Sequence, residues 1–479
     1  MSARTREAVL GALLLAGCAV GPDFHRPAPP AVQEYRAPGS QSAAPAAEDE
    51  SQRLQIGARV PERWWEAFGS AQLDALIDQV LAANPDIQAG QAALRAALES
   101  AAAARGALWP GLQASYQGER RQDSGTLSPT LNSAAPIFTL HTAEVDLGYT
   151  LDVFGGNRRS VEALVSTAEA QRFELEATRL TLVSNAVVAL ITQAAAQAQI
   201  SAMQRIVQEE RAALEILRRQ YAFGSVSLAA VSAQQATLSQ AEAALPALEQ
   251  QRAQQQDLLA VLCGRAPSQM AALDVELSAL TLPRELPLTL PAQLVRQRPD
   301  IRAAEAQLHA ATAQVGVAQA ALLPAISLSA NSGSAAVQLS QLTAPGTRFW
   351  SLGGSLSQTL FAGGTLVHRK RAAVALMDQA ADSYRSVVLQ AFRQVADVLA
   401  ALQADAAALA AQTRAESAAA QSLSLVLQNL QLGSVSNLDL IQAEHDHETA
   451  VLTLVQARAA HLADTVALYQ ALGGGWPVP

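Results

Sequence analysis

Residues 157–223 read NRRSVEALVSTAEAQRFELEATRLTLVSNAVVALITQAAAQAQISAMQRIVQEERAALEILRRQYAF, a run with neither glycine nor proline. As one unbroken helix at 1.5 Å per residue it would span about 100 Å, more than twice the thickness of a bilayer. Residues 365–432 form a second run of the same kind. Each is entered through phenylalanine and glycine, Phe154-Gly155-Gly156 and Phe361-Ala362-Gly363-Gly364. Each ends at the same tetrapeptide, Gly224-Ser225-Val226-Ser227 and Gly433-Ser434-Val435-Ser436. A globular enzyme has little use for two such helices, whereas a long tube or strut does.

The duplication extends outward from these runs. Asn84-Pro85-Asp86-Ile87 recurs as Arg298-Pro299-Asp300-Ile301, and that register sets Pro110 opposite Pro324 and Ser115 opposite Ser329. Residues 259–264 likewise face residues 468–473. Chance likeness between alanine-rich helices would not preserve the proline and glycine punctuation, so the chain is one unit made twice. Each copy has the order helix, strand, strand, long helix, shorter helix. The expected division is 1–17 signal peptide, 18–83 tether and equatorial segment, 84–264 first repeat, 265–297 linker, 298–473 second repeat and 474–479 tail.

The strands alternate with period two. Val145, Leu147, Tyr149, Leu151 and Val153 fall on one face, with Glu144, Asp146, Thr150 and Asp152 on the other. In the second copy Trp350, Leu352, Leu356 and Leu360 alternate with Ser351, Ser355, Ser357 and Thr359. Shorter partners, Leu112, Ala114, Tyr116 and Ile326, Leu328, Ala330, alternate likewise. A half-buried soluble hairpin has the same pattern. Aromatic girdles favour a membrane barrel: Trp109, Phe154 and Phe361 near one end, Phe138, Phe349 and Trp350 near the other. Polar loops, residues 119–136 and 333–348, join the strands. Four strands cannot close a barrel, and the eight of a dimer leave an interior filled by side chains. Twelve strands from three chains leave a lumen, so a homotrimer is expected. The short and returning helices together nearly match the long one, so bundles of them could wall a cylinder beneath the barrel, with the Gly-Ser-Val-Ser turns at its far end.

The start of the chain reads as an export signal: Arg4 and Arg6, an apolar run over residues 8–16, then Leu15-Ala16-Gly17-Cys18. This resembles the bacterial lipobox, in which the cysteine carries lipid and begins the mature protein, so Cys18 is the expected lipid attachment. An ordinary signal with a stray cysteine is the alternative. Ala19 after the cysteine points to the outer membrane. The other cysteine, Cys263, reads as a small packed hydrophobe. A net charge of −9 argues against nucleic acid as partner. After the signal, no apolar run approaches the eighteen or so residues of a membrane helix, so any crossing is expected to use strands. Residues 21–63, rich in Pro, Ala, Gln and Ser, read as an extended tether.

With Trp64-Trp65-Glu66-Ala67-Phe68, Cys18-Ala19-Val20-Gly21-Pro22 and the Phe-Gly-Gly turns, one further stretch carries a family likeness. It is Leu286-Pro287 through Leu290-Pro291-Ala292-Gln293-Leu294, continuing into Arg298-Pro299-Asp300-Ile301-Arg302-Ala303-Ala304-Glu305. The chain resembles the bacterial outer-membrane factor (outer-membrane efflux protein) family, in the lipoprotein branch similar to OprM and NodT-like proteins. The resemblance implies a mainly α fold with a trimeric twelve-stranded membrane β-barrel, four strands per chain, continuous with a periplasmic α-helical barrel. It implies the exit duct of a tripartite efflux pump, partnered by a periplasmic adaptor and an inner-membrane transporter, with no cofactor and no chemistry of its own. Competing readings are a lipid-anchored coiled-coil strut or adaptor, and a duct for secreted polypeptides.

The family closes its duct near the start of the helix after the second tip turn, which here places Leu438, Asp439 and Gln442 as gate lining. Some members carry two carboxylates there, and this chain has Gln442 at the second position. Asp439 could equally be an acid favoured by the helix dipole. The two tips, Gly224 to Ser227 and Gly433 to Ser436, are the expected adaptor contacts. Glu444-His445-Asp446-His447-Glu448 looks like a metal motif, but histidines two apart do not share a helix face, so a solvated surface is expected. Arg158, Arg159, Arg369, Lys370 and Arg371 oppose the dipole at helix starts; membrane head groups nearby would account for them, as would a merely basic surface.

Overall fold

The computed structural model describes residues 19–32, 34, 35, 52–122, 137–271 and 273–476. Both glycine-free runs form single helices, α3 (Gly156–Ala222) and α7 (Thr365–Gln431), each of 67 residues. The returning helices α4 (Leu228–Leu262) and α8 (Asn437–Ala471) also match, at 35 residues each. Ahead of them come α1 (Ala71–Ala83), α2 (Pro85–Arg105), α5 (Pro291–Gln297) and α6 (Pro299–Ala320). Proline stands at the first position of α2, α5 and α6, where a missing N–H costs nothing. The strands are β1 (Arg53–Ile56), β2 (Gly111–Gln122), β3 (Ile137–Leu151), β4 (Glu285–Leu288), β5 (Ala325–Ala336) and β6 (Arg348–Ser357). Helix, strand, strand, long helix and shorter helix thus occur in the same order twice.

Contacts divide the chain into two units, Met1–Pro27, Ala93–Gln171 and Ala303–Tyr384 in one, Ala28–Ala92, Arg172–Arg302 and Arg385–Pro479 in the other. The first unit holds an antiparallel sheet in the order β2-β3-β5-β6. Its register carries the sequence alternation across all four strands. Leu112, Leu147, Ala330 and Leu352 form one row, and the adjacent row is Gln113, Asp146, Asn331 and Ser351. One face is therefore apolar and the other polar. The apolar face is uncovered: Leu112, Trp350 and Leu352 are 73%, 78% and 77% exposed. Among the described residues, β2 and β6 each have a neighbour on one side only.

The register corrects the aromatic girdle. Phe349 pairs with Gly333 and Phe138 with Arg121, so both share the parity of the polar face, and of the three aromatics expected at that end only Trp350 lies on the apolar one. Strands also run into the expected loops, β2 to Gln122 and β5 to Ala336, whereas β6 stops at Ser357, short of Leu360.

The tether reading is corrected as well. In the first unit, residues 19–26 form a strap held by specific contacts. Val20 N–H donates to Phe154 O at 3.0 Å, Phe24 stacks on His309 with centroids 4.3 Å apart, and Arg26 pairs with Glu305 at 2.6 Å. A Cβ on Gly21 would lie 2.4 Å from Gly316 Cα, so only glycine permits this approach. In the second unit, Tyr35 donates to Thr289 O at 2.6 Å, and β1 pairs in parallel with β4. Proline-rich segments lack periodicity, which is why pattern alone reads them as free.

The second unit has a dense core. Trp64, Phe68, Leu73, Ile77 and Leu259 are fully buried, Trp64 stacks on Tyr469 with centroids 5.1 Å apart, and free Cys263 is buried too. Both repeats lock the start of a helix to the end of a returning one. Asn84 Nδ2 donates to Leu262 O at 2.9 Å, and Arg298 Nη1 to Ala471 O at 2.8 Å. A bond from such a charged donor contributes about 1.5–3 kcal/mol. Windows in α3 and α7 reach mean hydropathies of 1.4 and 1.2, enough by length and composition to cross a membrane, contrary to the sequence expectation. Alanine supplies that hydropathy without bulk. The α3 window is 61% buried in the chain and the α7 window 22%, although Val395, Leu399, Leu402 and Leu409 of α7 are buried.

Candidate functional site

The two Gly-Ser-Val-Ser turns fold alike. In the first, Gly224 takes φ +74°, Gly224 N–H donates to Tyr221 O and Ser225 N–H to Gln220 O, both at 2.9 Å. In the second, Gly433 takes φ +74°, with bonds from Gly433 N–H to Leu430 O and Ser434 N–H to Asn429 O, both 3.0 Å. This left-handed helix stop favours glycine and satisfies carbonyls the helix end would leave bare. Two residues on, the next helix is capped by serine: Ser227 Oγ accepts from Ala230 N–H and Ser436 Oγ from Asp439 N–H, each at 3.3 Å. Val226 and Val435 are half-buried between the exposed serines. One repeated sequence thus makes one repeated stop-and-restart.

Beside each turn stands an exposed apolar side chain that the pattern reading passed over. Phe223 is 87% exposed and Leu432 81%. Their signal was their place, the last residue of each glycine-free run, where a helix facing only water would carry a polar group.

The turns differ at the third position of the following helix. Where α4 has Ala230, α8 has Asp439, whose Oδ2 accepts from Ser436 N–H and Ser436 Oγ, both at 2.7 Å. Together with the bond from Asp439 N–H this is a reciprocal capping box. The Ser436 hydroxyl first, then its backbone N–H, hold the Asp439 carboxyl below the ordinary carboxylate range. Asp439 and Gln442 are exposed and Leu438 is half-buried. Gln442 Nε2 donates to exposed Asp446 Oδ1 at 2.8 Å, so Gln442 and Asp446 meet while Asp439 turns back to Ser436. Its exposed carboxylate serves as a helix cap.

Two other expectations are corrected. The stretch Glu444 to Glu448 is a solvated surface only in part, with Asp446 exposed. Glu448 is buried against Arg205 at 2.6 Å, His445 Nδ1 meets Glu210 at 2.9 Å, and His447 Nε2 meets Glu416 at 3.3 Å. A helix of 35 residues packed on two neighbours leaves few of its charges free. Among the described residues no cluster of three or more His, Cys, Asp or Glu suits a metal ion. Arg159 is not a surface cation, whereas Arg158 is exposed. Arg159 is buried, paired with Asp23 and Glu162, and Arg158 pairs with Asp152 at 3.2 Å. Arg369 and Arg371 remain exposed. Cys18 lies outside the described residues.

Comparison with known proteins bears on this arrangement. The family model described as outer membrane efflux protein matches residues 76–265 and 290–474. The pyoverdine export outer membrane protein OpmQ of Pseudomonas aeruginosa is 28% identical over 417 residues, 86% of this chain and 87% of that protein. The toluene efflux pump outer membrane protein TtgC of Pseudomonas putida is 29% identical over 470 residues, 97% and 94% of the two chains. The solved outer-membrane channel OprN superposes with a TM-score of 0.83 at 27% identity, over 96% of this chain and all of that one.

Proposed function

This chain belongs to the outer membrane efflux protein family, and from that premise we propose that it is the exit duct of an efflux pump, discharging small toxic compounds across the outer membrane. The carrying observation is the four-stranded sheet with an uncovered apolar face, a polar reverse and two open edges. Exposed apolar strands with bare edges are a liability in water and are resolved by lipid on one face and neighbouring strands at the edges. Three copies supply twelve strands, enough for a barrel lined by the Gln113–Asp146–Asn331–Ser351 row. A soluble strut has no use for these surfaces. Pyoverdine and toluene, in the names of two relatives, favour small compounds over polypeptides as cargo.

In this reading the helices form a periplasmic wall, and repeats 84–264 and 298–473 supply equivalent staves joined by the 265–297 linker. The tips Gly224 to Ser227 and Gly433 to Ser436, with Phe223 and Leu432 beside them, receive the periplasmic adaptor of an inner-membrane transporter. Leu438, Asp439 and Gln442 narrow the duct, Cys18 carries lipid, and no residue is catalytic. Purified protein in planar bilayers should show discrete conductance steps, and its migration on gels should change on heating. Absence of both from well-folded protein would return the strut reading.

A further inference from the structure

We propose that α8, whose first turns carry the candidate constriction, is held to α3 and α7 by an acid-rich lock that tightens on mild acidification and loosens towards neutral pH. Placing the constriction on α8 rests on the duct reading; the lock itself rests on contacts within the second unit.

Against α3 the helix makes two close contacts: Arg205 donates to Glu448 at 2.6 Å, and His445 Nδ1 lies 2.9 Å from Glu210. Glu209 lies among them. The charged groups facing it are Glu448 and Glu444 from α8 and Arg205 and Glu210 from α3, and the neutral Gln234 of α4 donates to Glu210. Four carboxyl groups therefore share one arginine and one histidine. Glu209 Oε2 and Glu448 Oε2 are both buried without a hydrogen-bond partner. An interface built to hold four ionised acids would not leave two such oxygens bare. A proton on Glu209 relieves the excess. Burial first, then Glu448 and Glu444, push its carboxyl up to about 7.

Against α7 the contacts are His447 with Glu416 at 3.3 Å, Thr453 Oγ1 donating to Gln412 Oε1 at 3.1 Å, and Asp405 facing Asp464. Asp464 is the charged group beside Asp405. Two carboxyl groups hydrogen-bond to one another only while one keeps its proton. Burial, then that bond and the Asp464 charge, push Asp405 up to about 7.

The signs agree. Each acid binds its proton more tightly in the packed helix than in a loosened one, so the packed state is favoured at low pH. That advantage is lost as pH rises from the ordinary carboxylate range to about 7, and it is flat above. Arg205 opposes the trend, and its attraction to Glu209 is outweighed.

Hydrogen exchange of backbone amides in residues 440–450 of the solubilised full-length protein tests the lock, with rates corrected for intrinsic pH dependence. Protection should fall by at least about tenfold between pH 5 and pH 8. The double variant Glu209→Gln, Asp405→Asn, which keeps both sites uncharged, should remain protected at pH 8. If the double variant does not fold, each single variant should remove part of the fall. Equal wild-type protection at the two pH values, or an undiminished fall in the variants, overturns the proposal. A wild-type protein silent in bilayers would instead sink the duct reading and leave the exchange result standing.

Discussion

Asp439 shows how one side chain can serve two ends. Its carboxylate closes the capping box on Ser436 and is kept ionised by those bonds. It is also exposed, as are Gln442 and Asp446 along the same side of α8. In a threefold assembly each becomes a ring of three, and an ionised ring attracts polyvalent cations. Asp439→Ala should therefore weaken block by multivalent cations applied from the periplasmic side, several-fold but incompletely, because Asp446 remains. Single-channel recordings decide the matter: identical block in wild type and variant would mean that Asp439 is a cap and nothing more. The dipole explanation anticipated from sequence describes its local role well. Its partner was missed only because a capping box with Asp at the third position departs from the usual Glu or Gln.

At the scale of elements, the tips are where identical sequence makes identical geometry. Both glycines take φ +74°, both serines cap, and both turns present an exposed Phe223 or Leu432. Small residues at a helix stop let another backbone come close, and the flanking apolar side chains offer it something to bury. Replacing Val226 and Val435 together with bulky charged residues should abolish efflux while trimers still form on native gels. Normal efflux from a well-expressed double variant would remove the tips from the docking surface. The glycine conformation and the serine caps are untouched by these changes, so the helices should keep their lengths.

The whole molecule is an incomplete object as a single chain. Among the described residues its sheet has an apolar face exposed to solvent and open edges. In the proposed duct, lipid and further copies of the chain would occupy these surfaces. The strap over residues 19–26 bears on the anchor, since it is tied to Phe154, Arg159, His309 and Glu305 immediately after Cys18. Cys18→Ser should abolish incorporation of labelled fatty acid yet leave barrel insertion largely intact, because one lipid adds a modest anchor to a closed barrel. Persistent labelling in that variant would refute lipidation at this residue.

The sequence by itself determined whatever is local and periodic: two helices of 67 residues, two of 35, their glycine stops, the duplicated order and the apolar and polar faces of the strands. Backbone conformation at glycine and proline and side-chain alternation act over a few residues, so they can be read without a fold. Tertiary structure alone decided the pairing of β3 with β5, the turning of Phe138 and Phe349 to the polar parity, the docking of the proline-rich strap and the burial of Arg159. It also turned Glu444 to Glu448 from a charged surface into part of a helix interface. Each of these depends on which distant residue arrives opposite, and a charge reads the same in sequence whether its partner is water or a buried arginine.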